Sequence, residues 1–298
     1  MMRKKIAVIL FNLGGPNNLE AVEPFLFNLF NDKAIISLPF PFRYCLAKFI
    51  SSKRAPIAKD IYRQIGNKSP ILEETDLQRV ALENMLNGQN NNNEYRVFTA
   101  MRYWHPFADE VISAVDSFGA KDVVLLPLYP QFSVTTTGSF VADWKKRAAK
   151  RLPQVTTYEA CCYFNDASFI NAHFKLLQDS LVKIGKKEKP RILFSAHGLP
   201  QKIIDKGDPY QWQVEQCSKL VMKQIKKDVG EYDWRVCYQS KVGRLKWLTP
   251  STEDEIKRAG KDQVPIVIVP IAFVSEHSET LVELDIEYRE LAEKEKVP

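Results

Sequence analysis

Seven short apolar runs punctuate the 298-residue sequence, at 6–12, 95–101, 122–128, 155–161, 191–195, 235–239 and 265–271. Short, continuous apolar runs suit strands buried on both faces, which is the signature of parallel sheets. Helical periodicity occupies intervals between them, at 73–86, 107–118, 167–184, 212–229 and 278–292. Strand and helix in alternation predict an α/β fold, with parallel sheets flanked by helices. Four runs fall before residue 161 and three after it, so two similar lobes are expected, 1–161 and 162–298. The helix opening at Asp166 is expected to cross between them, with Asp166 or Ser168 as its N-cap. The asparagine tract 90–93 reads as a surface loop. No run of about twenty apolar residues offers a transmembrane helix. The basic start, Arg3-Lys4-Lys5, leads into a β-rich stretch that stops at Gly14-Gly15-Pro16 and reads as a first strand, not a targeting segment.

In open parallel sheets, ligands bind beyond the carboxyl ends of the strands. The residues just after the runs therefore carry the most information. They include Asn12-Leu13-Gly14-Gly15-Pro16, Met101-Arg102-Tyr103-Trp104, Ser195-Ala196-His197-Gly198 and Ser275-Glu276-His277-Ser278-Glu279. Only four histidines occur in the chain. His173 sits in an amphipathic helix as packing or surface, and His105 precedes a proline in a structural position. His197 ends an apolar strand and precedes a glycine that lets a ligand approach the backbone. Glu276, Glu279, Glu283 and Glu287 fall at helical spacing, which predicts four carboxylates on one helix face beside His277. An arbitrary acidic face is solvated, but this one begins at a strand's carboxyl end, and imidazole with carboxylate suits Fe²⁺ or a similar divalent metal. Two Phe-rich segments follow the first strand. Residues 24–30 suit either a core helix or an apolar wall. At 38–44 the prolines argue against a regular helix and for an exposed apolar lip, facing a flat hydrophobic ligand or a membrane surface.

Composition removes other classes. The net charge of +6 suits a carboxylate-bearing substrate or an anionic surface, without the dense basic clustering of a nucleic-acid binder. Five cysteines, an odd number with no CxxC, read as reduced thiols in a cytoplasmic protein, not as a zinc or iron–sulfur site. The spacings of nicotinamide, P-loop, GxSxG and HExxH motifs are missing.

Taken together the strand-end motifs resemble the ferrochelatase family. The matching stretches are FNLGGP (11–16), GNKSP (66–70), MRYWHP (101–106), LPLYPQFSVTTTGS (126–139), FSAHGLP (194–200), GDPY (207–210), CYQSKVGRLKWLTPSTEDEI (237–256) and PIAFVSEHSETLVELDIEY (270–288). They run in family order over nearly the whole chain. The resemblance implies two Rossmann-like lobes with a porphyrin cleft between them, and insertion of Fe²⁺ into protoporphyrin IX to give protohaem. It implies His197 and Glu279 as the catalytic and metal-handling pair. It implies Ser69, Arg102, Tyr103, Trp247, His277 and Glu283 as substrate-binding residues. It implies porphyrin and ferrous iron as substrates, with no organic cofactor. The iron–sulfur branch of the family carries a cysteine where Val134 stands, and a C-terminal cysteine cluster with no counterpart beyond Cys237, so no [2Fe–2S] cluster is expected. Arg244 stands where many members have proline. Rival readings are a chelatase for coproporphyrin or another metal, and a porphyrin carrier without catalysis. A monomer in the cytoplasm is expected, peripheral to the inner face of the membrane. The second lobe, one strand poorer than the first, is expected to lack its last strand and helix, with a liability to aggregate.

Overall fold

A computed structural model describes residues 3–89, 92–185, 189–243 and 245–298. The elements run β1 (Lys4–Asn12), α1 (Val22–Phe30), α2 (Phe40–Arg63), α3 (Ile71–Gly88), β2 (Asn93–Met101), α4 (Ala108–Phe118), β3 (Asp122–Pro127), α5 (Thr137–Arg151), β4 (Thr156–Glu159), α6 (Ala167–Ile184), β5 (Arg191–His197), α7 (Gln201–Ile204), α8 (Tyr210–Asp228), β6 (Trp234–Gln239), α9 (Thr252–Asp262), β7 (Ile266–Pro270), a π-helix (Glu279–Glu287) and α10 (Tyr288–Lys294). The chain divides into two compact units. One takes most of the chain up to Cys161 together with Ser275–Ser278; the other takes Pro130–Phe132, Cys162–Val274 and Glu279–Pro298. No helix among the described residues is long and apolar enough to cross a membrane.

All seven apolar runs are strands, and every pairing is parallel. The first sheet has the order β2-β1-β3-β4 and the second β6-β5-β7. In each sheet the first strand in sequence lies inside, with later strands on both sides. That reversal of strand order opens a crevice at the strands' carboxyl ends. In the first unit, α4 buries Val111, Ile112, Val115 and Phe118, the spacing of a one-faced helix. It ends where Gly119 adopts φ 73°, a left-handed cap. Phe11 of β1 stacks on Phe140 of α5 with ring centroids 4.1 Å apart. The edge strand β2 is closed by side chains of α3. Asn87 Oδ1 accepts from the Tyr95 N–H at 3.0 Å, and Glu83 Oε2 accepts from the Val97 N–H at 2.7 Å. In the second unit, α6 buries Ile170, Phe174, Leu177 and Leu181, and Asp166 caps it by accepting from the Ser168 and Phe169 N–H groups.

Three expectations need correction. Residues 38–44 do not avoid helix: α2 starts at Phe40, with Pro39 as its N-cap and Pro41 in the first turn. Proline is tolerated there because the first helical N–H groups have no intrahelical partner. The apolar lip is nonetheless exposed, with Phe40 at 63% and Phe42 at 69%. For residues 24–30 the core-helix reading holds without correction: they belong to α1, which buries Phe25 and Leu26. The acidic helix is not an α-helix over its first part. It begins only at Glu279, so Glu276 lies outside it, and its i→i+5 bonding winds more residues into each turn, so that four-residue steps (Glu279, Glu283, Glu287) keep one side. Of the asparagine tract, Asn90 and Asn91 lie outside the described residues, as does Arg244, and β2 already begins at Asn93.

Candidate active site

The site is built where the second sheet ends. His197 closes β5 and stands in register with Gln239, the last residue of β6. The Tyr210 hydroxyl donates to the His197 carbonyl at 3.1 Å and fixes the backbone there. Gly198 follows, and its N–H donates to the Gln239 carbonyl at 2.8 Å. A Cβ at Gly198 would meet that oxygen at 2.9 Å and the Trp247 ring at 3.3 Å, so the glycine is what lets Trp247 lie against the strand end. The Trp247 indole donates to the Val242 carbonyl at 3.0 Å.

Past β7 the chain returns at Glu279, whose Oε2 lies 2.8 Å from His197 Nδ1. A carboxylate only accepts, so this contact places a proton on Nδ1 and leaves Nε2 as the free lone pair of a neutral ring. Burial disfavours the imidazolium, but Glu279, by charge and hydrogen bond, and then Glu283 outweigh it, so the His197 pKa is raised above 6.5. Glu283 is gripped by four donors. The Ser240 N–H reaches Oε1 at 2.8 Å and Tyr288 Oη reaches it at 3.1 Å. Ser240 Oγ reaches Oε2 at 2.5 Å and Gln239 Nε2 reaches it at 3.0 Å. Gln239 in turn accepts from Ser195 Oγ at 2.8 Å, inside the sheet. A π-helix is rare and is found frequently at functional sites. Here the pinned Glu279 and Glu283 hold its register to the strand ends.

The first unit carries a second group. Asp32 follows α1 and accepts from Arg102 Nη2 at 2.9 Å, Tyr103 Oη at 2.8 Å and the Ser139 hydroxyl. Burial pushes the Asp32 pKa up, but Arg102, Ser139, the Ala34 N–H and Tyr103 bring it below the ordinary value. Arg102 Nε also donates to Ser139 Oγ at 2.7 Å. Tyr103 is 1% exposed, and burial followed by the Asp32 charge drives its hydroxyl pKa well up. Both residues thus tie the end of β2 to the loop after α1 and to α5. Ser69 is buried against Gly15, where a Cβ would come within 2.5 Å of its hydroxyl. His277 is half-buried in Ser275–Ser278, a segment grouped with the first unit.

Of the remaining histidines, His173 behaves as packing and His105 is an exposed residue beside a carboxylate. His173 lies edge-on to Phe169, and burial lowers its pKa to about 4. His105 Nδ1 lies 2.9 Å from the Glu110 carboxylate. No group of three or more metal-ligating side chains occurs among the described residues.

The family model described as Ferrochelatase matches residues 5–298. The chain belongs to the ferrochelatase family. Relatives carrying that name include one from Wolbachia sp. subsp. Drosophila simulans, 55% identical over 96% of this chain and 90% of its own. Another, from Pelagibacter ubique, is 53% identical over 97% of this chain and 83% of its own. A third, from Rickettsia bellii, is 50% identical over 99% of this chain and 80% of its own. Among solved structures, the sirohydrochlorin chelatase SirB from Bacillus subtilis subspecies spizizenii in complex with cobalt matches with a TM-score of 0.54. At 10% identity, over 99% of this chain and 85% of that one, the likeness is one of fold. Ferrochelatase membership accounts for the strand-end motifs as one set.

Sequence reasoning missed Asp32, Gln239, Ser240 and Tyr288. The strand-end rule that singles out His197 applies equally to β6, and would have given Gln239 and Ser240. Asp32 had no such signal, because it lies in a loop and meets Arg102 across 70 residues.

Proposed function

We propose that His197 and Glu279 are the working pair of this enzyme, which inserts ferrous iron into protoporphyrin, the reaction of its family. Protoporphyrin holds four nitrogens in one plane, two of them bearing protons. Iron enters as both protons leave, so the site must provide a base, a route for the metal and a grip on a bent ring. The observation that carries the reading is the 2.8 Å contact between His197 Nδ1 and Glu279 Oε2. It leaves Nε2 as a base at the end of a strand and puts a carboxylate where the imidazolium charge develops. A raised His197 pKa makes that base stronger. Trp247 offers an apolar ring face one residue beyond the histidine's strand end. Ser69, Arg102, Tyr103, His277 and Glu283 belong to the same reading. Glu283 enters as the clamp of the π-helix, and Arg102 and Tyr103 enter as the lock on the end of β2. Iron is a substrate in this scheme, and neither an organic cofactor nor a [2Fe–2S] cluster is required. The exposed apolar start of α2 fits peripheral contact with the inner face of a membrane from a cytoplasmic position.

The test is steady-state insertion of Fe²⁺ or Zn²⁺ into protoporphyrin under anaerobic conditions. His197→Ala is expected to lose insertion while still quenching porphyrin fluorescence on binding, because apolar contacts dominate affinity for such ligands. A His197→Ala protein that turns over at the wild-type rate refutes the assignment.

A further inference from the structure

Among the described residues, four non-glycine residues hold a positive φ: Asn67, Ser240, Gln263 and Lys296. Three have ordinary explanations. Asn67 is of the type that tolerates the left-handed region. Gln263 and Lys296 follow the ends of α9 and α10, where a left-handed residue is a usual way to stop a helix. Ser240, at φ 62°, has none of these. It is not of a favoured type, it follows a strand, and it stands in the site just described. Backbone strain of this kind persists only where surrounding contacts over-determine it, and it concentrates where a side chain must be aimed.

The twist at Ser240 turns its N–H and its hydroxyl the same way. The N–H takes Glu283 Oε1 at 2.8 Å and the hydroxyl takes Oε2 at 2.5 Å, a two-point grip by one residue. The hydroxyl also lies 3.4 Å from Glu279 Oε2, the same oxygen that faces His197 Nδ1 at 2.8 Å. One hydroxyl thus stands between two carboxylates that would otherwise repel across the same gap. Its single hydrogen is shared in a three-centre bond, donated chiefly to Glu283 Oε2 and reaching Glu279 Oε2 as the weaker branch.

We propose that Ser240 is a positioning residue for the His197–Glu279 pair, its left-handed backbone holding one hydroxyl between the two carboxylates so that Glu279 keeps Oε2 turned to the imidazole. The proposal rests on the reading of that pair as the catalytic one. It adds a group that acts through the two glutamates, gripping Glu283 and facing Glu279, and not on porphyrin or iron itself.

Two substitutions separate aim from scaffold. Ser240→Gly removes the hydroxyl and the strain together, and leaves the N–H to Glu283. Ser240→Ala removes the hydroxyl and keeps the strain. In zinc insertion, both are expected to lower kcat about tenfold, the size expected when one oriented hydrogen bond to a catalytic group is lost. KM for porphyrin is expected to stay within about twofold of wild type, since the residue contributes no uniform binding. Thermal melts should part the two variants: both lose the hydroxyl's bond, but Ser240→Gly, relieved of the strain, melts above Ser240→Ala while being equally slow. A merely structural serine would lose rate only in step with stability. If Ser240→Gly turns over at the wild-type rate, or if its loss lies in KM alone, the proposal is overturned. If wild type is active and His197→Ala is dead in the same assay, that failure falls on Ser240 only; a fully active His197→Ala overturns both readings.

Discussion

His197 is pulled two ways, by burial that favours the neutral ring and by two glutamates that favour the charged one. The glutamates win, so the ring holds its proton to a pH above the ordinary 6.5. A base must be unprotonated to accept a proton from porphyrin. The acid limb of kcat/KM should therefore turn over above pH 6.5, with activity lost as pH falls through the folded-state pKa. Glu279→Gln removes the nearest of the groups that raise that pKa. It leaves Glu283 close by, with Tyr210 packed behind the strand end. The limb should then move to lower pH while the maximum rate drops, because the developing imidazolium loses its partner. A pH–rate profile of the two proteins checks this; an acid limb that stays put or moves upward in Glu279→Gln contradicts the assigned role. The same shift has a stability sign. A raised histidine pKa stabilises the fold below the unfolded value and loses that contribution as pH rises through the folded one.

Helices show where packing and sequence pattern part company. The strands were legible because parallel strands buried on both faces require continuous apolar runs. Strand ends then pointed to His197 and Glu279. Helix α2 was not legible because its buried face is Ala47, Ser51, Ala55 and Tyr62, mostly small residues, while its large apolar residues face outward. Helix α9 hides likewise, burying Thr252, Glu255, Ile256, Ala259 and Gly260. A stripe of small and polar residues has no hydrophobic period to detect, however closely it packs. Two glycines turn this into opposite predictions. A Cβ at Gly260 would fall 2.2 Å from the Glu295 carbonyl oxygen, and backbone cannot step aside cheaply. Gly260→Ala should therefore destabilise by about 1–3 kcal/mol, although alanine is the better helix former. Gly88, the last residue of α3, meets nothing within 4 Å. Gly88→Ala should stabilise by up to about 1 kcal/mol through helix propensity alone. Denaturant titration of the two variants reads both signs, and a stabilised Gly260→Ala would mean that the C-terminal turn after α10 is not packed on α9.

The surface as a whole sets one apolar helix face against a basic background. Phe42, Leu46 and Phe49 recur on one side of α2 at steps of four and three, with Phe42 69% and Phe49 63% exposed. Within α2 there are six Lys or Arg residues (Arg43, Lys48, Lys53, Arg54, Lys59 and Arg63) against the single acidic Asp60, in a chain whose net charge is +6. Exposed large apolar side chains grouped in this way mark a surface that meets something apolar. The basic neighbours favour an anionic one. Inserting both phenylalanines into a bilayer boundary is worth roughly 3–6 kcal/mol, taking about 1.5–3 kcal/mol for each side chain buried. Each basic residue held near anionic headgroups adds about 1 kcal/mol, and salt removes that share as the Debye length falls from about 8 Å to about 3 Å between 0.15 and 1 M. The two contributions are of similar size, so salt should weaken binding without abolishing it. In co-sedimentation with phosphatidylserine-containing vesicles, wild type should pellet at low salt and partly remain bound at about 1 M salt. Phe42→Ser combined with Phe49→Ser should lose the salt-resistant fraction and keep the salt-sensitive one. The doubly substituted protein should also insert zinc into detergent-dispersed porphyrin at the wild-type rate if this face serves the membrane and not the ring. Binding fully reversed by salt in wild type, or unchanged by the two substitutions, would show that α2 does not enter the bilayer boundary.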